Sequence, residues 1–139
     1  MKKNKNSPIV IFHDYRSLPA PLKLIKKTVE KIVEKEKSFV CTPVSVILCS
    51  NYKIRKLNAQ YRNIDRPTDV LSFYFGDDDL LGEIYISLQK AAVQARKYGL
   101  TYNNEIKRLL IHGIFHLLGY DHNTANKEKV MQAKEQEYF

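Results

Sequence analysis

Three of the chain's four histidines lie within eleven residues, at positions 112, 116 and 122. His112 and His116 are four residues apart in a segment with helical apolar spacing, so their imidazoles project from one helix face. Gly119 can end that helix, because glycine readily adopts the left-handed conformation of a C-terminal stop. His122 follows three residues later, close enough to fold back toward the same ion. The spacing predicts a metal site with three histidine ligands on this helix.

This ligand set is typical of a catalytic metal, because three imidazoles on a tetrahedral ion leave a fourth position for water or substrate. Zinc suits imidazole best, while nickel, copper and iron stay open alternatives. In the metallopeptidase helix motif a glutamate follows the first histidine and acts as general base. Here that position is Gly113, which disfavours peptide cleavage. Glycine also costs helix stability, so we expect a bulky group or another helix to pack closely there. His13, the fourth histidine, is interpreted as an ordinary surface or core residue.

The surrounding sequence predicts a single α+β domain spanning residues 1–139. Its apolar periodicity and turn residues indicate the order β-α-β-α-β-β-α-α-α. The predicted strands are 9–12, 44–49, 68–75 and 81–88; the predicted helices are 22–37, one after Ser50 that includes Tyr61, 89–98, 103–118 and one from about Asn123. We expect one mixed sheet of about four strands packed against helices, with the histidine-bearing helix central. Residues 1–7 are predicted to be a flexible basic tail.

Composition favours a polyanionic partner. Lys and Arg total 23 against 15 Asp and Glu, a formal net charge of +8. Nucleic acid is therefore the first partner to consider, and the alternative is that the charge serves only solubility. Cys41 and Cys49 match no zinc or redox motif and favour a reducing compartment. No apolar run is long enough for a signal peptide core or a membrane span. We expect a cytoplasmic protein with no membrane partner.

Three motifs occur in a fixed order along the chain. They are Leu57-Asn-x-x-Tyr-Arg62 leading to Pro67-Thr-Asp-Val-Leu-Ser-Phe73, then Leu81-Gly-Glu-Ile-x-Ile-Ser87, then His112-Gly-x-x-His116-Leu-x-Gly-Tyr-Asp-His122. With these motifs the sequence resembles the YbeY family of bacterial metal-dependent endoribonucleases, which take part in ribosomal RNA maturation. Small departures are Glu83 where the family usually has Asp, Tyr74 where Pro is common, and a short C-terminal helix. None of them touches the histidine motif.

The resemblance implies one Zn²⁺ ion bound by His112, His116 and His122, with Arg62 and His116 as catalytic residues. It implies a single-strand-specific endoribonuclease that hydrolyses RNA phosphodiester bonds. Its setting would be 3′ end maturation of small-subunit ribosomal RNA and ribosome quality control, with the small ribosomal subunit and its assembly proteins as partners. Without the resemblance, Arg62 would be interpreted as a solvated loop arginine.

Three acidic residues near these motifs have two interpretations each. Asp69 either orients Arg62 or a ligand, or belongs to a turn or the start of a strand. Asp121 either supports the neighbouring His122 or forms a local turn. Glu105 lies in the first turn of the histidine-bearing helix, where a carboxylate suits the helix dipole whatever its function.

Two other functions stay open at this point. A metallopeptidase-like hydrolase is favoured by a strand predicted near a metal-bearing helix, since such a strand can pair with an extended peptide. A non-enzymatic ribosome-assembly factor with a structural metal is the second alternative. It is disfavoured because structural zinc sites usually have four protein ligands, whereas three histidines are present here.

Overall fold

The computed structural model describes residues 8–36 and 43–139. All nine predicted elements are present in the predicted order. The strands are β1 (Ile9–His13), β2 (Val44–Cys49), β3 (Val70–Tyr74) and β4 (Gly82–Ser87); the helices are α1 (Leu22–Lys35), α2 (Asn51–Arg62), α3 (Leu88–Tyr98), α4 (Tyr102–Leu117) and α5 (Ala125–Tyr138). Their ends differ from the predicted ones by up to two residues. The predicted basic tail at 1–7 and the residue Cys41 lie outside the described residues.

Helix starts follow from local side-chain chemistry. Helices α2 to α5 each begin after a Ser or Thr whose hydroxyl oxygen accepts a hydrogen bond from the backbone N–H three residues further on. The four capping residues are Ser50, Ser87, Thr101 and Thr124. Gly99 ends α3 with a φ of 69°, a left-handed conformation that favours glycine. These caps set the bounds of the helices that carry the candidate site.

The sheet is mixed, as predicted, with the strand order β1-β2-β4-β3. Strand β2 pairs in parallel with both β1 and β4, whereas β3 pairs antiparallel with β4 and lies at one edge. The main apolar core contains buried residues of α1 and α4 packed with Ile84 and Ile86 of β4. A smaller cluster joins Ile54 of α2 to Leu71 of β3 and Ile47 of β2. Strands β3 and β4 are therefore the part of the sheet against which α4 packs.

Helix α4 is the central helix of the domain. It contacts α1, α3, α5, β3 and β4, and nine of its residues are buried. A helix with this many buried residues is stable only when it is covered on most sides, so its packing fixes the direction in which its polar residues project. No helix of the described ranges 8–36 and 43–139 is both long and apolar enough to cross a membrane.

Candidate metal centre

The three clustered histidines meet in space. His112 and His116 lie one turn apart on α4, and their ring centroids are 4.9 Å apart. The ring of His122 lies 5.4 Å from that of His116 and 6.0 Å from that of His112. Each ring offers one nitrogen, and these three atoms lie within 4.8 Å of one another. The structure thus brings together the ligand set that the spacing predicted, and the group could hold a metal ion.

A tight reversal after α4 returns His122 toward the helix. Gly119 has a φ of 97°, and its N–H donates to the His116 carbonyl oxygen at 3.1 Å. The next N–H, of Tyr120, donates to the Phe115 carbonyl oxygen at 3.0 Å, and the two aromatic rings meet edge to face. This pattern is the glycine-dependent helix stop that the sequence predicted. It fixes where the third histidine can lie.

A carboxylate from α5 orients the first histidine. The Nδ1 atom of His112 lies 2.6 Å from the Glu135 Oε2 atom. An ionised carboxylate only accepts hydrogen bonds, so the imidazole must be the donor at Nδ1. Its Nε2 atom is then the nitrogen left for a metal ion, an arrangement common around histidine ligands. The sequence prediction missed Glu135, because a glutamate in a polar helix 23 residues downstream gives no distinguishing signal.

The surroundings of the second histidine favour its uncharged form. Burial lowers the pKa of His116 below its usual value, and the nearby rings of His112 and His122 lower it further. Metals bind the neutral imidazole, so this pKa shift favours ligation at neutral pH. The donor set consists of three imidazole nitrogens without a thiolate. Such a set fits a borderline ion such as zinc, with one coordination position left over.

Gly113 allows α4 to approach the sheet. A Cβ atom at this position would lie 2.8 Å from Ile84 Cγ2 and 3.1 Å from Ser72 Oγ. The Ser72 hydroxyl also donates to the Gly113 carbonyl oxygen at 3.1 Å. The close packing expected at this glycine is therefore made by strands β3 and β4 rather than by another helix. Position 113 therefore carries no side chain that could serve as the glutamate base of the metallopeptidase motif.

The histidine group opens into a cavity of about 350 Å³. The wall includes Arg62 and residues from β3 and α4; the full lining is Arg62, Asp69, Val70, Leu71, Ser72, Arg108, Leu109, His112, His116 and His122. Arg62 is the last residue of α2, and Asn63 ends that helix in a left-handed conformation with a φ of 59°. The Arg62 side chain is exposed, and its guanidinium has no hydrogen bond or ion pair within the described part of the chain. The predicted catalytic arginine and the predicted ligands thus share one cavity.

Comparison with known proteins agrees with the motifs. The family model described as Endoribonuclease YbeY matches residues 13–139. The chain belongs to this family. An Endoribonuclease YbeY of Acholeplasma laidlawii is 44% identical over 128 residues, covering 91% of this chain and 90% of the relative. Another, of Acetivibrio thermocellus, is 44% identical over 133 residues and covers 83% and 82%. The solution structure of TM1509 from Thermotoga maritima matches with a TM-score of 0.67 and 37% identity, covering 94% of this chain and 85% of that one.

The acidic residues around the YbeY-family motifs have distinct surroundings. Asp69 lines the cavity, where it accepts hydrogen bonds from the Val70 N–H at 2.8 Å and from Gln94 at 3.3 Å. In the described part of the chain, neither a hydrogen bond nor an ion pair joins it to Arg62. Asp121 accepts the Asn123 N–H at 3.1 Å, which is the local turn role of its two interpretations.

Glu105 lies in the first turn of α4, as predicted, but its carboxylate is fully buried and paired with Arg108. This burial could not be predicted from the sequence, because it depends on how α3 packs. His13 places its Nε2 atom 2.8 Å from the Leu18 carbonyl oxygen and is not one of the residues that line the cavity. This agrees with its interpretation as an ordinary histidine.

Proposed function

We propose that this protein is a zinc-dependent endoribonuclease that hydrolyses phosphodiester bonds in single-stranded RNA. The observation that carries the proposal is the cavity lined jointly by the three-histidine group and the unpaired Arg62. A ligand group with an open position and a free guanidinium together suit attack at a phosphate. Membership of the family adds support, since the relatives it matches are named Endoribonuclease YbeY.

In this proposal one Zn²⁺ ion is held by His112, His116 and His122. When bound, zinc supplies Lewis-acid activation of water at neutral pH, which compensates for the absent peptidase glutamate. His116 contributes through its neutral ring, whose lowered pKa keeps a lone pair available. His112 contributes through the ring orientation that Glu135 sets.

Arg62 binds the scissile phosphate. A guanidinium presents two parallel N–H donors, which match two phosphate oxygens and the negative charge that accumulates on them during cleavage. Within the described residues no carboxylate forms an ion pair with the Arg62 guanidinium. RNA binding therefore does not have to break an existing ion pair. Arg55, by contrast, is occupied by Asp65 at 2.9 Å.

The proposed substrate and setting rest on charge and on family membership. A net charge of +8 attracts polyanions such as RNA. We propose that the natural substrate is the 3′ region of small-subunit ribosomal RNA, in maturation and ribosome quality control in the cytoplasm. The small ribosomal subunit and its assembly proteins are the corresponding partners.

The test compares cleavage of single-stranded RNA by the wild-type protein with zinc, the wild-type protein stripped of metal, and an Arg62→Ala variant with zinc. We expect cleavage only with zinc, and a loss of roughly 100-fold or more in Arg62→Ala, the scale for removing a transition-state donor. Zinc content and circular dichroism of the variant should match wild type. Arg66→Ala is the matched control, because Arg66 is exposed and does not line the cavity. Undiminished cleavage by Arg62→Ala would remove Arg62 from the mechanism.

The same assay addresses the two alternatives. A metallopeptidase is favoured by the position of β3, an edge strand that lines the cavity, and disfavoured by Gly113, which stands where the peptidase motif has its glutamate base. Zinc-dependent peptide cleavage without RNA cleavage would establish it. A His116→Ala protein that folds, binds RNA and still supports ribosome maturation would establish the non-enzymatic assembly factor. Cyclic phosphate ends on the cleaved RNA would identify the 2′-hydroxyl as nucleophile.

A further inference from the structure

A second arginine borders the cavity in line with the metal ligands. Arg108 precedes His112 by four residues on α4, and His116 follows His112 by four, so the three side chains form one row along the helix. Each step of four residues along this row rises about 6 Å, slightly more than one helical turn. Arg108 lines the same cavity as the histidines and Arg62. A chain of RNA entering this cavity along α4 would pass it.

The Arg108 guanidinium is fixed by its neighbours. Its Nε and Nη2 atoms donate to the two carboxylate oxygens of Glu105, each at 2.7 Å. That carboxylate is completely buried, and Gln94 donates to it at 2.7 Å from α3. The Arg108 guanidinium also lies over the ring of Tyr98, with its Cζ atom 5.6 Å from the ring centroid. A bidentate ion pair and a flanking ring leave the side chain little freedom.

Part of the guanidinium remains available. Arginine carries five N–H donors, and Glu105 takes two of them. No other acceptor for Arg108 occurs within residues 8–36 and 43–139, and its side chain is 41% exposed. A fixed guanidinium loses little entropy when a further acceptor binds, so its free donors are preorganised for an oxyanion.

We propose that Arg108 is a second phosphate-binding residue, which holds a backbone phosphate next to the scissile phosphate bound by Arg62. This inference rests on the proposed function. Two phosphate contacts fix the RNA at two points, so the bond to be cut is positioned over the histidine group. The competing explanation is structural, with Arg108 serving only to neutralise the buried Glu105 carboxylate.

A double substitution separates the two explanations. Glu105→Gln with Arg108→Gln removes one negative and one positive charge, so the net charge stays at +8. It leaves no uncompensated buried charge, which is the usual reason such variants fail to fold. If Arg108 serves only Glu105, the double variant binds RNA as wild type does. If Arg108 binds phosphate, RNA binding weakens although the protein folds.

Binding is measured with the zinc-loaded protein and a 2′-O-methylated single-stranded 12-mer, at salt concentrations from 50 to 300 mM, with a gel to verify that the oligonucleotide stays intact. One lost phosphate contact should lower the slope of log K against log salt by about 0.7. We expect affinity at 50 mM salt to fall about tenfold, the scale of one charge-assisted contact. In cleavage, KM should rise while kcat changes less than about twofold, because this contact acts equally in the ground and transition states. Arg62→Ala should instead lower kcat.

Arg96→Gln is the control for charge alone, since Arg96 is an exposed residue of α3 outside the cavity lining. It should keep the wild-type slope and KM. If the double variant misfolds, Arg108→Lys is tested in its place. This variant retains the positive charge beside Glu105 but loses the paired N–H donors of the guanidinium, so KM should rise severalfold. A slope and KM equal to wild type in the folded variant overturn the role of Arg108. Wild-type cleavage of RNA in the same experiment leaves the proposed function intact, whereas absence of that cleavage overturns the function itself.

Discussion

The hydrogen bond from His112 to Glu135 controls which imidazole nitrogen faces the cavity. With Nδ1 bound to the carboxylate at 2.6 Å, the ring cannot rotate about its Cβ–Cγ bond without losing a charge-assisted contact. The carboxylate also makes the ring a better electron donor at its other nitrogen. We therefore expect Glu135 to influence a bound metal ion through His112 rather than by touching the ion.

At this residue, we predict that Glu135→Ala lowers zinc affinity by about 10- to 100-fold, the usual cost of losing a carboxylate behind a ligating histidine. Competition with a chromogenic chelator measures the affinity directly. Glu137→Ala is the control on the same helix. Glu137 is exposed, and its ion pair is with Lys134, at 3.7 Å, rather than with a histidine. Equal zinc affinities for the two variants would contradict the orienting role.

At the scale of elements, helix α5 must be held in place for Glu135 to reach α4. The C-terminal end of α1 provides one anchor, where the Glu36 carboxylate accepts hydrogen bonds from Lys134 at 3.1 Å and from the Tyr138 hydroxyl. The ring of Tyr138 also packs on Phe115 of α4, with centroids 5.6 Å apart. Lys134 is adjacent to Glu135, so this anchor helps to fix the residue that orients His112.

We predict that Glu36→Gln lowers the free energy of unfolding at pH 7 by about 1–2 kcal/mol, the scale of a charge-assisted hydrogen bond. Urea unfolding followed by circular dichroism measures the difference. Glu34→Gln, at an exposed position of α1, should change stability by less than about 0.5 kcal/mol.

The effect of Glu36→Gln on the free energy of unfolding should depend on pH. Burial alone would raise the pKa of Glu36, but the hydrogen bonds from Tyr138 and Lys134 and the charge of Lys134 outweigh it and hold the pKa below its usual value of 4.5. A carboxyl with a lowered native pKa stabilises the fold above its unfolded pKa and loses that contribution as pH falls through the native one. The gap between wild type and Glu36→Gln should therefore shrink below about pH 4.5. A gap that stays constant from pH 7 to pH 3.5 would contradict the charged state of Glu36.

The elements were predictable from sequence because their signals are local. The helix start after Ser50 and the helix stop at Gly119 depend on contacts within three to five residues, and the structure confirms both predictions. The order of strands in the sheet was not predictable, because pairing β2 with β4 joins residues such as Val46 and Ile84 that are 38 positions apart. The apolar periodicity of a strand does not indicate which distant strand it pairs with.

The same distinction applies to the residues of the site. His112 and His116 are neighbours on one helix turn, so their spacing alone predicted that they meet. Arg62 lies fifty positions upstream and was assigned only through family resemblance. The pairing of Glu105 with Arg108 and Gln94, and the contact of Glu135, depend on helix packing. These contacts became visible only when α3, α4 and α5 were placed against one another.

At the scale of the whole molecule, the cavity is assembled from distant parts of the chain but the core does not depend on it. Arg62 comes from the end of α2, Ser72 from β3, and the histidines from α4 and the turn after it. Within residues 8–36 and 43–139 the main core contains 21 buried residues, none of which belongs to the histidine group. The candidate metal site therefore lies beside a core that apolar packing stabilises by itself.

This separation predicts that metal removal lowers stability without unfolding the protein. An ion that binds only the native state at a free concentration 100 times its Kd adds about 2.7 kcal/mol, which corresponds to roughly 10 °C in Tm for a domain of this size. We expect zinc to raise the Tm of chelator-treated protein by that amount at 100 times its Kd, while the circular dichroism spectrum at 25 °C is the same with and without zinc. His122→Ala should abolish most of the zinc-dependent rise, because two imidazoles hold the ion less tightly than three. Unfolding of the chelator-treated protein at 25 °C would instead assign the metal a structural role and favour the non-enzymatic alternative, since a structural zinc contributes its binding energy directly to folding.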